Sequence, residues 1–176
     1  MVLFGNKTQM RKEPYDLLNW ALAMLEGKYF GDDDFFFGLQ AYDAWMAFMA
    51  NENLFDASEE ELKQILNMHT TYTGQLAESR AWADSFFSSI FPSLLPEYSG
   101  LIKEAATLCK NVHDLMWKVW GALGSEPGDT SVWAMLKDEA VRKDTITIIE
   151  NAKKQDTRLA ELIKKIMYEH FAVEAK

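Results

Sequence analysis

The sequence predicts an all-α protein: a single-domain, multi-helix bundle with about five to six helices and one long central helix. Apolar residues recur at helical spacing in every long segment, and the four prolines fall at the ends of those segments or between them. The one β-prone run, at residues 2–4, has no partner elsewhere in the chain, and a lone strand is not stable.

The composition is that of one globular domain covering residues 1–176. Hydrophobic residues make up 48% of the chain and aromatic residues 13%, which is enough for a sizeable core. The net charge of −9 argues against a nucleic-acid partner, because phosphate binding needs a concentrated positive surface. No apolar run approaches a membrane span, so no membrane partner is expected. The lone Cys109 favours a reducing compartment, which predicts a cytoplasmic protein.

Two short helices are predicted before the long one. Pro14 stands where a first helical turn begins, and Gly27 suits the C-terminal cap of the same helix. The acids at residues 32–34 lack the ligand spacing of a calcium loop and predict a solvated loop. A second helix is predicted over residues 39–50, and its apolar stripe consists of Leu39, Tyr42, Trp45, Met46 and Met49.

The long helix is predicted over residues 58–91. Ser58 and Glu61 form a capping-box pattern, and three consecutive acids in the first turn suit the positive end of the helix dipole. Pro92 ends the pattern. Several polar residues fall on or beside the apolar stripe of this helix: His69, Tyr72, Thr73, Arg80 and Asp84.

Arg80 is the residue of the long helix that most needs a partner, because a buried guanidinium is costly unless it is paired. Asp84 lies one turn further along the same helix, and Asp43 lies on the predicted second helix. Either carboxylate could supply the partner.

The rest of the chain predicts a fourth helix over about residues 97–120 and one or two helices over residues 131–172. A loop containing glycine and proline separates them. The polar stretch KKQD at residues 153–156 is interpreted as either a turn or a solvated patch. Cys109 lies in the middle of the fourth helix and is interpreted as a packing residue.

The second helix and the long helix are predicted to be neighbours because the turn between them is short. Their facing stripes carry more polar atoms than folding requires. The resulting seam is either a closed hydrogen-bond network or a cleft that opens to a ligand. Its candidate ligand-binding residues are Tyr42, Asp43, Trp45, His69, Tyr72 and Arg80.

The usual signatures of catalysis and of cofactor binding are missing from the sequence. It contains no glycine-rich phosphate loop, no Gly-x-Ser-x-Gly, no His-Glu-x-x-His and no Cys-x-x-Cys. We therefore predict no catalytic residue, no metal ligand and no cofactor. The alternative is a three-histidine metal site between helices, formed by His69, His113 and His170.

Several stretches resemble one known family. They are VLFGNKT at residues 2–8, FGLQAYDAW at 37–45, LAESRAWA at 76–83, and the tail segments 136–142 and 152–163. These stretches resemble the helical C-terminal half of proteins similar to the butirosin biosynthesis protein H. In that family an N-terminal domain of papain-like fold carries a catalytic cysteine and histidine, and the butirosin protein is an acyltransferase acting on a carrier-protein thioester.

The resemblance implies that residues 1–12 are a strand or linker remnant of an N-terminal domain that is missing here. No residue of this chain matches the family's catalytic cysteine, so no catalytic role carries over.

Three functions are consistent with these observations. The resemblance implies a non-catalytic accessory or substrate-cleft domain that works with an N-terminal catalytic domain or a partner chain, as part of a cysteine-dependent acyltransferase or peptidase-like protein. The first alternative is a stand-alone helical module that binds a small molecule or forms a homodimer. The second alternative is a metal-dependent helical-bundle enzyme.

Overall fold

A computed structural model describes residues 13–28, 36–123 and 132–174, with side chains up to residue 170. The predicted all-α class is confirmed, since these ranges contain helices and turns and no strand. The β-prone run at residues 2–4 and the acids at 32–34 lie outside the described residues. The helices are α1 Pro14–Leu25, α2 Leu39–Ala50, α3 Glu59–Ser89, the single-turn α4 Phe91–Leu94, α5 Ser99–Leu123 and α6 Glu139–Glu174.

Helix α3 begins and ends close to where the sequence predicts. The Ser58 hydroxyl accepts a hydrogen bond from the Glu61 backbone N–H, and the Glu61 carboxylate accepts one from the Ser58 backbone N–H at 2.9 Å. The helix ends at Ser89, just before Pro92. The backbone N–H groups of Ser58 and Glu61 therefore both have hydrogen-bond partners in the capping box, as the pattern predicts.

Helix α6 has 36 residues and α3 has 31. The interpretation of residues 153–156 as a turn is wrong, because α6 runs through them without interruption. A 3₁₀ turn, Trp133–Lys137, leads into α6.

The bundle is centred on α5, which packs along both α3 and α6, while α1 and α2 lie against α6. The prediction that α2 and α3 pack together is met in part: α2 packs chiefly on α6, and it meets α3 through side chains such as Trp45 and His69. The connection between α2 and α3 contains a 3₁₀ turn, Glu52–Phe55, and Phe55 is buried in the core.

The junction between α1 and α2 brings two glycines into contact with backbone. Gly27 ends α1 with φ of 72°, and Gly38 precedes α2 with φ of 57°. A Cβ on Gly38 would lie 2.2 Å from the Leu25 carbonyl oxygen. The end of α1 and the start of α2 can therefore meet only because both positions are glycine.

The core consists of two clusters that follow each other along the bundle. One is formed by α1, the C-terminal part of α3, α4, the N-terminal half of α5 and the α6 residues from Leu159 onward. The other is formed by α2, α3 up to Ala77, the C-terminal half of α5 and the α6 residues up to Ala152. The polar residues described below lie where the two clusters meet.

The capping box gives a first test of the fold. Ser58→Ala leaves an N–H group of the first turn of α3 without its partner, and we expect it to lower the free energy of unfolding by about 1 kcal/mol. Urea denaturation measures the loss. Ser79→Ala is the matched control, since Ser79 lies exposed in the middle of the same helix; an equal loss in both variants would show that the cap has no special role.

Candidate binding site

A buried ion pair joins α3 to α6. Arg80 Nε donates to Asp156 Oδ1 at 3.0 Å, and Arg80 Nη2 donates to Asp156 Oδ2 at 2.7 Å. The Asp156 side chain is 1% exposed and the Arg80 side chain 19%. This is the two-point geometry in which a guanidinium binds a carboxylate most strongly.

Tyr42 completes the cluster from α2. Its hydroxyl donates to Asp156 Oδ2 at 2.8 Å, and the ring is buried. The Asp156 carboxylate thus accepts three hydrogen bonds, from side chains on two other helices. The name Asp156 cluster is used below for Tyr42, Arg80 and Asp156.

The helices place these polar groups by simple periodicity. Arg80 follows buried Ala77 by three residues on α3, and Asp156 follows buried Ala152 by four on α6. Each therefore lies on the inward stripe of its helix, at the level where the two core clusters meet. A buried charge at such a position is costly unless it is paired, and the two residues supply opposite charges.

Burial and the charge of Asp156 shift the pKa values of Arg80 and Tyr42. Burial opposes the charge on Arg80, but the negative charge of Asp156 and its hydrogen bonds outweigh burial and raise the pKa of Arg80. Burial, followed by the charge of Asp156, raises the pKa of Tyr42 well above its usual value, so the phenol keeps its proton. Near neutral pH, Arg80 therefore keeps its charge and Tyr42 its proton.

A pocket opens beside the Asp156 cluster, between α1, α2, α3 and α6. Its volume is about 420 Å³, within the usual range for small-molecule sites. The lining is predominantly apolar, and Arg80 is its one charged residue. It is lined by Ala21, Met24, Leu25, Phe37, Gly38, Ala41, Tyr42, Trp45, Leu76, Ser79, Arg80, Ala83, Phe87, Leu159 and Ile163.

Trp45 links the pocket to a buried histidine. Trp45 Nε1 donates to His69 Nδ1 at 3.2 Å, and the two rings meet edge to face. Because Nδ1 accepts, the neutral imidazole carries its proton on Nε2, which is buried with no hydrogen-bond partner in the described structure. Burial lowers the pKa of His69 to about 4. His69 therefore positions the indole from behind the pocket and does not line it.

The structure brings together three of the six predicted ligand-binding residues. Tyr42, Trp45 and Arg80 line the pocket. Asp43 instead faces the surface, where its Oδ1 accepts from Lys153 Nζ at 2.6 Å. Tyr72 is 66% exposed and lies outside the pocket lining. The assignment of ligand binding to any of them stays a prediction.

The two partners predicted for Arg80 are both wrong. Asp43 pairs with Lys153, and Asp84 makes no hydrogen bond to Arg80. The Arg80 side chain extends from α3 toward α6, so its partner is a carboxylate on α6 and not one on its own helix. The polar seam belongs to α3 and α6, with α2 adding Tyr42.

Asp156 is the residue that sequence reasoning missed. The polar residues just before it suggest a solvated patch, yet Asp156 is fully buried. A signal was available: Ile149, Ala152, Asp156, Leu159 and Ile163 recur at helical spacing, which places the aspartate on an apolar stripe.

Cys109 and the histidines lie in separate environments. Cys109 is buried, as predicted for a packing residue, and burial raises the pKa of its thiol to about 12. His113 Nδ1 lies 2.9 Å from the Ala77 carbonyl oxygen, and His170 stacks on Tyr15. Within the described ranges, no three histidine, cysteine, aspartate or glutamate side chains are grouped closely enough to hold a metal ion.

Comparison of the chain with protein-family models, with curated proteins and with solved structures gave no match. The resemblance stated from the sequence motifs therefore stays a prediction. Of the helices described, none combines the length and the apolar character needed to cross a membrane.

The ion pair gives a second test. Arg80→Ala strands the buried Asp156 carboxylate, and we expect it to lower the free energy of unfolding by about 3–5 kcal/mol. Arg158→Ala is the control, because Arg158 on α6 pairs with Glu104 and Glu161 at the surface, and its loss should change stability little. A loss below about 1 kcal/mol for Arg80→Ala would show that the pair is not buried.

His69 gives a third test, through the pH dependence of stability. Its pKa is lower in the folded state, about 4, than the ordinary value of 6.5. The imidazole therefore stabilises the fold fully above about pH 6.5, and this contribution, about 3 kcal/mol, is lost as the pH falls toward 4. Urea denaturation at pH 7 and pH 4.5 should show a smaller fall for His69→Gln than for the original chain. Equal falls would mean that another group causes the pH dependence.

Proposed function

We propose that this chain is a non-catalytic helical binding domain whose pocket receives a small, largely apolar ligand. The observation that supports this proposal is the pocket itself, an apolar space of about 420 Å³ with Tyr42 and Arg80 of the Asp156 cluster in its wall. Apolar lining with a few convergent polar groups is the usual construction of a small-molecule site. The sequence predicts either a closed hydrogen-bond network or an open cleft. In this proposal both are present, because Tyr42 and Arg80 belong to the network and also line the cleft.

The walls of the pocket are well suited to hold a fixed shape. The Arg80–Asp156 pair braces α3 against α6, and the contact of Gly27 and Gly38 with neighbouring backbone fixes the end of α1 against the start of α2. A preformed pocket needs little ordering when a ligand binds, so more of the contact energy appears as affinity.

A second proposal follows from the resemblance. In a cysteine-dependent acyltransferase, the same pocket would hold the acyl part of the substrate, and the catalytic cysteine would come from an N-terminal domain or a partner chain. The state of Cys109 supports the second part of this proposal, because a buried thiol with a raised pKa is a poor nucleophile.

A melting screen with a pocket-filling variant tests the binding proposal. Small apolar amides, alcohols and aromatics are added to the purified chain, and thermal unfolding is followed. At a ligand concentration of about 100 times Kd, stability rises by about 2.7 kcal/mol, which raises Tm by roughly 5–10 °C.

Ala41→Leu narrows the pocket from α2 and should abolish the shift in Tm. Ala47→Leu is the matched control, because Ala47 lies exposed on the same helix and outside the pocket lining, and this variant should keep the shift. If no compound raises Tm, or if both variants respond alike, the pocket is not the binding site.

A further inference from the structure

The outer edge of the Arg80 guanidinium has hydrogen-bond donors to spare. A guanidinium carries five N–H donors. Nε and Nη2 each use one on Asp156, and no hydrogen bond of Nη1 occurs in the described part of the chain. Arg80 lines the pocket and its side chain keeps 19% exposure, so a ligand there can reach the unused donors.

The charge of Arg80, by contrast, is already neutralised. The edge that binds a carboxylate with two hydrogen bonds is occupied by Asp156, which lies at 2.7–3.0 Å. Tyr42 adds a neutral donor to the same carboxylate. No other charged side chain lines the pocket. The wall therefore offers strong donors without a net positive charge.

The spare donors of Arg80 and its neutralised charge together favour uncharged ligands over carboxylates. A carboxylate entering the pocket would lose its hydration, meet no uncompensated cation and lie near the negative Asp156. An uncharged carbonyl oxygen loses far less hydration and still gains hydrogen bonds from the guanidinium, which are stronger than bonds from a neutral donor.

We propose that the ligand is an uncharged carbonyl compound, of the amide or ester class, with an apolar chain. Its carbonyl oxygen accepts from the outer N–H groups of Arg80, and its chain lies along the apolar lining that includes Leu76, Ala83 and Ile163. This inference rests on the proposed function and specifies the ligand class of the same site.

Titration calorimetry at pH 7 with three probes tests the inference. Octanamide and octanoate have the same chain and differ in the charge of the head group, and toluene has no carbonyl acceptor. We expect octanamide to bind at least about tenfold more tightly than octanoate. Tighter binding of octanoate would overturn the inference and leave the binding function standing. Failure of octanamide and toluene alike would overturn the binding function itself.

Two variants test the role assigned to charge. Asp156→Asn removes the compensating charge and should reverse the preference, so that octanoate binds more tightly than octanamide. The triple variant Tyr42→Phe, Arg80→Met, Asp156→Leu replaces the cluster with apolar side chains, a type of change that buried ion pairs often tolerate.

Relative to toluene, the triple variant should bind octanamide about tenfold more weakly than the original chain does. If Asp156→Asn does not fold, the triple variant alone tests whether Arg80 contacts the ligand. Unchanged octanamide affinity in the triple variant would show that Arg80 does not contact the ligand.

Discussion

The Arg80–Asp156 pair is the constraint that links α3, α6 and the pocket beside them. It lies where the two core clusters meet and joins α3 to α6 on the inner faces of both helices. Either charge alone at this depth would destabilise the fold by several kcal/mol, so each residue requires the other. Tyr42 adds α2 to the same carboxylate, and one aspartate thereby fixes the positions of three helices.

The pocket is a consequence of this arrangement. Helices α3 and α6 both pack on α5, and the long Arg80 side chain spans the distance between them. Small side chains on the neighbouring turns, such as Ala83 and Ala41, leave the space beside the pair open. The α1–α2 junction with its two glycines closes one side. Tyr42 and Arg80, which join α2 and α3 to α6, therefore also give the pocket its polar wall.

Local signals in the sequence predict most of the helices. Ser58 and Glu61 mark the start of α3, Gly27 lies just past the end of α1, and the apolar periodicity marks α5. Each of these signals acts over a few residues, where helix geometry leaves little freedom. The all-α class and the choice of Tyr42 and Arg80 as notable polar residues follow from such signals.

Pairing across the bundle could not be predicted in the same way. Asp156 lies 76 residues from Arg80, and local spacing offered Asp84 as a nearer carboxylate. The expected packing of α2 on α3 is reduced to side-chain contacts such as that of Trp45 with His69, because α2 packs chiefly on α6. The sequence pattern puts Tyr72 on or beside the apolar stripe of α3, but the Tyr72 ring lies at the surface. These outcomes depend on how helices meet, and a single helix pattern carries no information about its neighbour.

A double-mutant cycle measures the central interaction most directly. The cycle combines Arg80→Met and Asp156→Leu in a Tyr42→Phe background, so that no phenol is left without a partner, and each free energy of unfolding is obtained from urea denaturation. If the pair joins α3 to α6, each single change lowers stability by several kcal/mol, the double change lowers it far less, and the coupling energy exceeds about 2 kcal/mol. Effects that add to within about 0.5 kcal/mol would contradict the account, because they would show that the two side chains do not depend on each other.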